Sequence, residues 1–178
     1  MKNETIKLVF TGPVGAGKTT ALQTISDTPP VMTEQAMTVG ASGDKTTTTV
    51  ALDYGEVTLD DGCKVLLFGT PGQRHYDYMC KIVARGALGI MVLLNDENAD
   101  PKVDLAYFTE LFSEHAKIGA MVLGITHTEN VRNNPLRRYH EWLSARGYTL
   151  PVFAVDARSR DDIIVMVEAL AASLEFSE

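Results

Sequence analysis

Gly12-Pro13-Val14-Gly15-Ala16-Gly17-Lys18-Thr19 follows directly on the apolar run Ile6-Lys7-Leu8-Val9-Phe10, and no other stretch of the chain constrains its folding as tightly. The eight residues fit G-x-x-x-x-G-K-[ST], a phosphate-binding loop. Glycine tolerates backbone angles that aim successive N–H groups at one anion, and the N-terminus of the helix that follows adds positive potential. Such a loop belongs between a strand and a helix, and both flanks agree. A β-like run precedes it, and Ala21, Leu22 and Ile25 recur afterwards at helical spacing. Lys18 would reach the β- and γ-phosphates as a point charge, and Thr19 would offer its hydroxyl to Mg²⁺. Gly12, Val14, Gly15, Ala16, Gly17 and Thr20 complete the expected cradle. The bland alternative is a flexible glycine-rich turn.

At 178 residues the chain suits one domain, residues 1–178, able to bury a core without staples. A formal charge of −7 argues against broad nucleic-acid binding, which needs clustered Lys and Arg. Cys63 and Cys80 show neither C-x-x-C nor metal-ligand spacing and read as reduced thiols. The first residues lack a signal-peptide core, the last lack a prenylatable cysteine, and no apolar run approaches the ~20 residues of a membrane span. A cytoplasmic protein without a direct membrane anchor is the expectation.

Taken in order, strand 1 runs from about Ile6 to Thr11, and the first helix stops before Pro29-Pro30. Val31 to about Thr48 reads as a long loop ending in four threonines. Val50 to Leu59 and Lys64 to Phe68 pair as an antiparallel hairpin around Asp60-Asp61-Gly62. Helical and buried-strand patterns then alternate: a helix to Arg85, a strand over Leu88–Leu94, a helix opened by Asp100-Pro101, a strand over Ala120–Ile125, a helix over Pro135–Arg146, a short strand over Val152–Val155 and a closing helix over Asp161–Leu174. The expected fold class is therefore α/β. It is a three-layer P-loop nucleotide-binding domain with a six-stranded, mostly parallel sheet, one antiparallel strand and helices on both faces. His115, His140 and the Arg137-Arg138 pair read as solvent-facing helix residues.

This order of motifs resembles the small Ras-like GTPases over nearly the whole chain. The segment Phe68-Gly69-Thr70-Pro71-Gly72-Gln73-Arg74 looks like the bacterial MglA-like and conservon-type members. The resemblance implies that Gly72 donates its N–H to the γ-phosphate and that Gln73 orients the attacking water. Gly69 departs from the Ras-like pattern, standing where a carboxylate usually supports the Mg²⁺ hydration shell; MglA-like proteins share that departure. Thr19 and a switch threonine would then hold more of the metal. Counting back from Asp53-Tyr54 favours Thr49 as that threonine, with Thr48 next, against a plain reading as β-prone strand entry.

In relatives, guanine is recognised by Asn/Thr-Lys-x-Asp after the fifth strand, and here Thr126-His127-Thr128-Glu129 occupies that place. Glu129 would accept from the ring N–H and exocyclic amine with a longer arm, and His127 would pack on the base. Both substitutions leave guanine against adenine open, and the bland alternative is a polar turn. The last base-contact loop would be Asp156-Ala157-Arg158, with the Ala157 N–H on the base carbonyl and the Arg158 stem over the ring.

The resemblance thus implies a GTP/GDP-binding switch that uses Mg²⁺ and hydrolyses slowly, with Gln73 and Lys18 as the catalytic residues. No arginine finger is evident, the nearest upstream cation being Lys45, so turnover should depend on a regulatory protein of Roadblock type. Two rivals share the phosphate loop. One is a non-catalytic nucleotide-binding interaction module, and the other a P-loop small-molecule kinase, against which the lack of an arginine cluster speaks.

Overall fold

The computed structural model describes residues 6–39, 46–59, 62–129 and 134–175; for residues 32–39, 46–51 and 175 it describes the backbone alone. Strand β1 (Ile6–Thr11) leads through the glycine-rich loop into helix α1 (Lys18–Ile25). Strands β2 (Val31–Val39), β3 (Thr46–Thr58) and β4 (Lys64–Gly69) follow, and a 3₁₀ turn (Arg74–Tyr76) runs into α2 (Asp77–Ala84). The chain continues with β5 (Gly89–Asn95), α3 (Pro101–Leu111), α4 (Ser113–Lys117), β6 (Met121–Thr126), α5 (Arg137–Ser144), β7 (Val152–Ala154) and α6 (Arg160–Glu175). Local signals account for several boundaries. Asp100 caps α3 by accepting from the Lys102 and Val103 N–H groups, with Pro101 in the first turn. Gly62 takes the left-handed conformation that closes the β3–β4 hairpin, while Asp60 and Asp61 lie outside the described residues.

The sheet order is β2-β3-β4-β1-β5-β6-β7. Strands β4, β1, β5, β6 and β7 run parallel, and β3 is antiparallel to both of its neighbours. The six expected strands are all present with their single antiparallel member. A seventh, β2, lies in the stretch expected to be a loop. Its pairing extends from Val31↔Tyr54 to Val39↔Thr46, whereas β3 meets β4 only from Asp53 onward. The first half of β3 is therefore held by β2 alone. A stretch without apolar periodicity makes a strand here because the partner backbone supplies the hydrogen bonds.

Alternate residues of the central strands feed two cores. Val9, Ile90, Val92, Leu94, Met121 and Leu123 pack with Val83, Leu105, Phe108 and Tyr139 from α2, α3 and α5. Leu8, Phe10, Met91, Leu93 and Val122 pack on the other face with Leu22, Ile25, Ile163, Met166 and Leu170 from α1 and α6. Burial on both faces explains the unbroken apolar runs of β5 and β6. Chain order reverses at β1, whose neighbours are β4 and β5. The crevice beyond the carboxyl end of β1 is where ligands settle in open sheets of this kind. Among the described residues no helix is long and apolar enough to cross a membrane.

Candidate functional site

The glycine-rich loop fills that crevice. Gly15 and Gly17 have φ of 79° and 90°, and Gly17 in this left-handed conformation starts α1, which side chains bearing Cβ rarely permit. The Ala16 N–H donates to the Pro13 carbonyl at 3.3 Å and Ala16 itself is buried, while Val14 is exposed. Lys18 folds back over the loop, with Nζ donating to the Pro13 carbonyl oxygen at 2.7 Å. Only 9% of the residue is accessible, and burial pushes its ammonium down to about 8, with the Asp53 charge opposing the shift. An ammonium lowered to about 8 stays mainly charged at neutral pH, and neighbouring anionic oxygens would raise it again.

The segment Thr70-Pro71-Gly72-Gln73 lies against this loop. The Thr70 N–H donates to the Phe10 carbonyl at 2.9 Å and its hydroxyl to Thr11 Oγ1 at 2.9 Å, fastening β4's exit to the end of β1. A Cβ placed on Gly72 would fall 2.6 Å from Val14 N and 2.7 Å from Lys18 Nζ, a space only glycine fits. Gln73 is exposed and extended immediately before the 3₁₀ turn.

Asp53 is the residue that sequence reasoning used only as a landmark. It sits opposite Gly69 in the β3–β4 register, and its Oδ2 accepts from Thr19 Oγ1 at 2.5 Å. Position 69 lacks a carboxylate, but the adjacent strand presents one to the same threonine. A strong β-hairpin signal at Asp60-Asp61-Gly62 carries the clue, because counting outward from that turn sets Asp53 near Gly69. Thr48 and Thr49 are on the β2-paired half of β3, and their side chains lie outside the described part; so does Lys45.

The expected base-contact residues converge. Gly17 and Thr20 line a cavity of about 300 Å³ together with Thr126, His127, Glu129, Val155, Asp156, Ala157 and Arg158. Thr126 is buried, and its hydroxyl lies 3.2 Å from the carbonyls of Ala16 and Leu94, tying β6 to the phosphate loop. His127 has a φ of 56°, unusual for a residue with a side chain and a mark of constrained geometry. Its Nδ1 lies 4.0 Å from a Glu97 carboxylate oxygen. Gly17 accepts no Cβ either, since Ala157 Cβ would stand 2.8 Å from it. Arg158 lines the cavity beside Asp156. Its guanidinium pairs with Asp156 through Nε at 2.9 Å and a terminal nitrogen at 2.8 Å, holding that carboxyl down at about 2.

One helix-face expectation is corrected. Arg137 is exposed and pairs with Glu141, but Arg138 reaches inward to Asp96, whose side chain is wholly buried at the end of β5. The Tyr139 hydroxyl donates to the same Asp96 oxygen at 2.5 Å. An arginine is drawn off the surface because a buried carboxylate needs a cation beside it. His115 is also half-buried, its ring edge-on to Phe112, while His140 is exposed as expected.

No model of a known family matches the chain. The fold is similar to the crystal structure of the G domain of the T. maritima FeoB iron transporter. The TM-score is 0.66 and identity 16%, with 96% of this chain and 99% of that one covered, so the architecture is that of a G domain. A stretch of 122 residues is 30% identical to the uncharacterized protein MJ1339 of Methanocaldococcus jannaschii, covering 68% of this chain and 71% of that protein. The chain thus belongs to the family of MJ1339 and has the α/β fold of a G domain.

Proposed function

We propose that the protein is a GTP-binding molecular switch that hydrolyses GTP slowly to GDP and phosphate and is read by a regulatory partner. The observation that carries this reading is the continuity of two sites. The phosphate loop and the 300 Å³ cavity share Gly17, so one bound nucleotide would span both. Val14, Gly15, Ala16 and Gly17 would cradle phosphates with their N–H groups, with Lys18 on the β- and γ-phosphates. The cavity would take the base, Glu129 accepting from guanine's ring N–H and amine.

The donor set suits Mg²⁺. Thr19 and Asp53 bring a hydroxyl and a carboxylate together at the loop, and Mg²⁺ in nucleotide sites takes few protein ligands beside water and phosphate oxygens. Thr19 and Thr49 would ligate it, with Asp53 ordering Thr19 and the metal's water shell. When bound, Mg²⁺ neutralises charge on the β- and γ-phosphates. The chain's own residues do the remainder. Gln73 would orient a water whose oxygen attacks the γ-phosphorus as the bond to the bridging oxygen breaks, the proton the water loses ending on the released phosphate, and Lys18 with the Gly72 N–H would stabilise the charge that spreads over the phosphoryl oxygens.

The Gly69-Thr70-Pro71-Gly72-Gln73 segment supports an MglA-like assignment, and with it a Roadblock-type partner supplying what the active site lacks. The same reading makes the chain one G domain acting in the cytoplasm. Denaturing the purified protein and chromatographing the released small molecules tests it. GDP or GTP is expected. Release of ADP would sink the guanine assignment, and failure of the stripped protein to bind either labelled GDP or labelled ADP would sink the nucleotide reading.

A further inference from the structure

The segment that follows Gln73 is gripped by α3. The Arg74 guanidinium lies 3.4 Å from Asp104 Oδ1 and stacks 4.5 Å from the centre of the Tyr107 ring. The Tyr107 hydroxyl contacts the Asp77 carboxylate and lies 3.3 Å from the Arg74 carbonyl. Asn98 donates to the second Asp104 oxygen at 2.9 Å, so the acceptor is oriented before Arg74 meets it. Asn95, at the end of β5, lies 3.5 Å from the Gly15 carbonyl, so the strand that feeds α3 also touches the phosphate loop.

This grip matters because of where it leaves Gly72. The point 2.6 Å from Val14 N and 2.7 Å from Lys18 Nζ, at which a Cβ on Gly72 would stand, is within hydrogen-bond reach of two phosphate donors. Under the proposed function, that is where an oxygen of a third phosphoryl group belongs. The Gly72 backbone borders that space, so a triphosphate fits only if Pro71-Gly72 withdraws. A diphosphate demands no such movement.

We infer that Arg74 and Asp77, held by Asp104 and Tyr107 of α3, form a latch that favours the diphosphate-bound over the triphosphate-bound protein. The inference rests on the nucleotide reading and adds its regulation. Asp104 and Tyr107 are positioning residues: they touch no nucleotide and act through the placement of Gly72. A contact present in one arrangement and lost in the other biases the equilibrium by its own free energy, and a ligand works against that bias. An exposed ion pair contributes little alone, but here it is joined by a cation–π contact and a hydroxyl–carboxylate bond on the same short segment. A regulator that captured Arg74 or covered α3 would release Gly72 without approaching the phosphates.

The test uses the full chain stripped of nucleotide and titrated, in Mg²⁺, with fluorescent GDP and with a fluorescent non-hydrolysable GTP analogue. Asp104→Asn and Tyr107→Phe should each raise affinity for the analogue relative to GDP by about threefold to tenfold, as expected for contacts of this class, with GDP affinity unchanged. Arg74→Gln serves as a third variant if either fails to fold. A wild-type ratio in the folded variants, or a shift toward GDP, overturns the latch while leaving nucleotide binding intact. A wild-type protein that binds neither compound overturns the latch and the reading beneath it together.

Discussion

Asp53 and Gly69 face each other across the antiparallel β3–β4 pair, and Asp53 presents to Thr19 the carboxylate that position 69 does not have. A Cβ on Gly69 would lie 2.9 Å from Asp53 Cβ, so the two positions have room for one side chain between them. The glycine is thus what lets the aspartate lie along the sheet toward α1.

Replacing Asp53 tests its proposed metal role. Asp53→Asn keeps the shape and removes the charge, so Mg²⁺ affinity of the GDP-loaded protein should fall about 10- to 100-fold, as for other residues that orient metal ligands. Nucleotide affinity in a chelator should hardly change. A Mg²⁺ titration followed by nucleotide release measures both, and an unaltered midpoint would remove Asp53 from the metal site.

Exchanging the two positions is a sharper experiment. Gly69→Asp alone should destabilise the fold by about 1–3 kcal/mol, through crowding and two carboxylates directly opposed. The double variant Asp53→Gly with Gly69→Asp should recover most of that loss in urea unfolding. Simple additivity of the two changes would show that the side chains do not compete for one space.

Lys18 makes nucleotide binding pH-dependent. Its ammonium is lowered to about 8 in the protein alone, and phosphate oxygens would favour the charged form. Binding at pH 8 should therefore take up a fraction of a proton, and affinity should decline as pH rises through 8, where the free protein has begun to lose that proton. Calorimetry in buffers of different ionisation enthalpy reads the uptake directly. Stability of the nucleotide-free protein should move oppositely: the unfolded chain holds the Lys18 proton between pH 8 and the ordinary lysine range while the folded one does not, so stability rises with pH there. Lys18→Ala should abolish the uptake and most of the affinity.

The Asp96 cluster should matter for stability. One Asp96 oxygen serves both Arg138 and Tyr139, and the other has no partner among the described residues. Tyr139→Phe should cost about 1 kcal/mol, the net worth of one hydrogen bond. Asp96→Ala should cost about 3 kcal/mol, the low end for breaking a buried pair because Arg138 is part-exposed and can turn to water. Urea denaturation at constant m-value distinguishes the two.

How far the sequence carried depended on the range of the interaction. The phosphate loop, the buried strands β5 and β6, the Asp100-Pro101 helix start and the hairpin turn are local or strictly periodic signals, and all were readable in order. The grouping of residues around the 300 Å³ cavity was readable as well, because Thr126 and Asp156 stand at the carboxyl ends of the parallel strands β6 and β7, which lie at one edge of the sheet. That Arg158 lines the cavity with its guanidinium paired to Asp156 was not readable, because such a pairing depends on side-chain conformation rather than on spacing. Arg138 was misread because helical periodicity describes a face and says nothing of a single buried acid elsewhere.

The sequence by itself determined that a glycine-rich loop with Lys18 and Thr19 would stand between a strand and a helix in a mostly parallel α/β sheet. Those features need only backbone conformational limits and the spacing of apolar residues. Only the tertiary structure decided that Asp53 would answer for Gly69, that β2 would pair along β3, and that α3 would hold the residues after Gln73. Each of these joins positions many residues apart through a register or a packing contact, and such pairings acquire their energy only once the chain has closed around them.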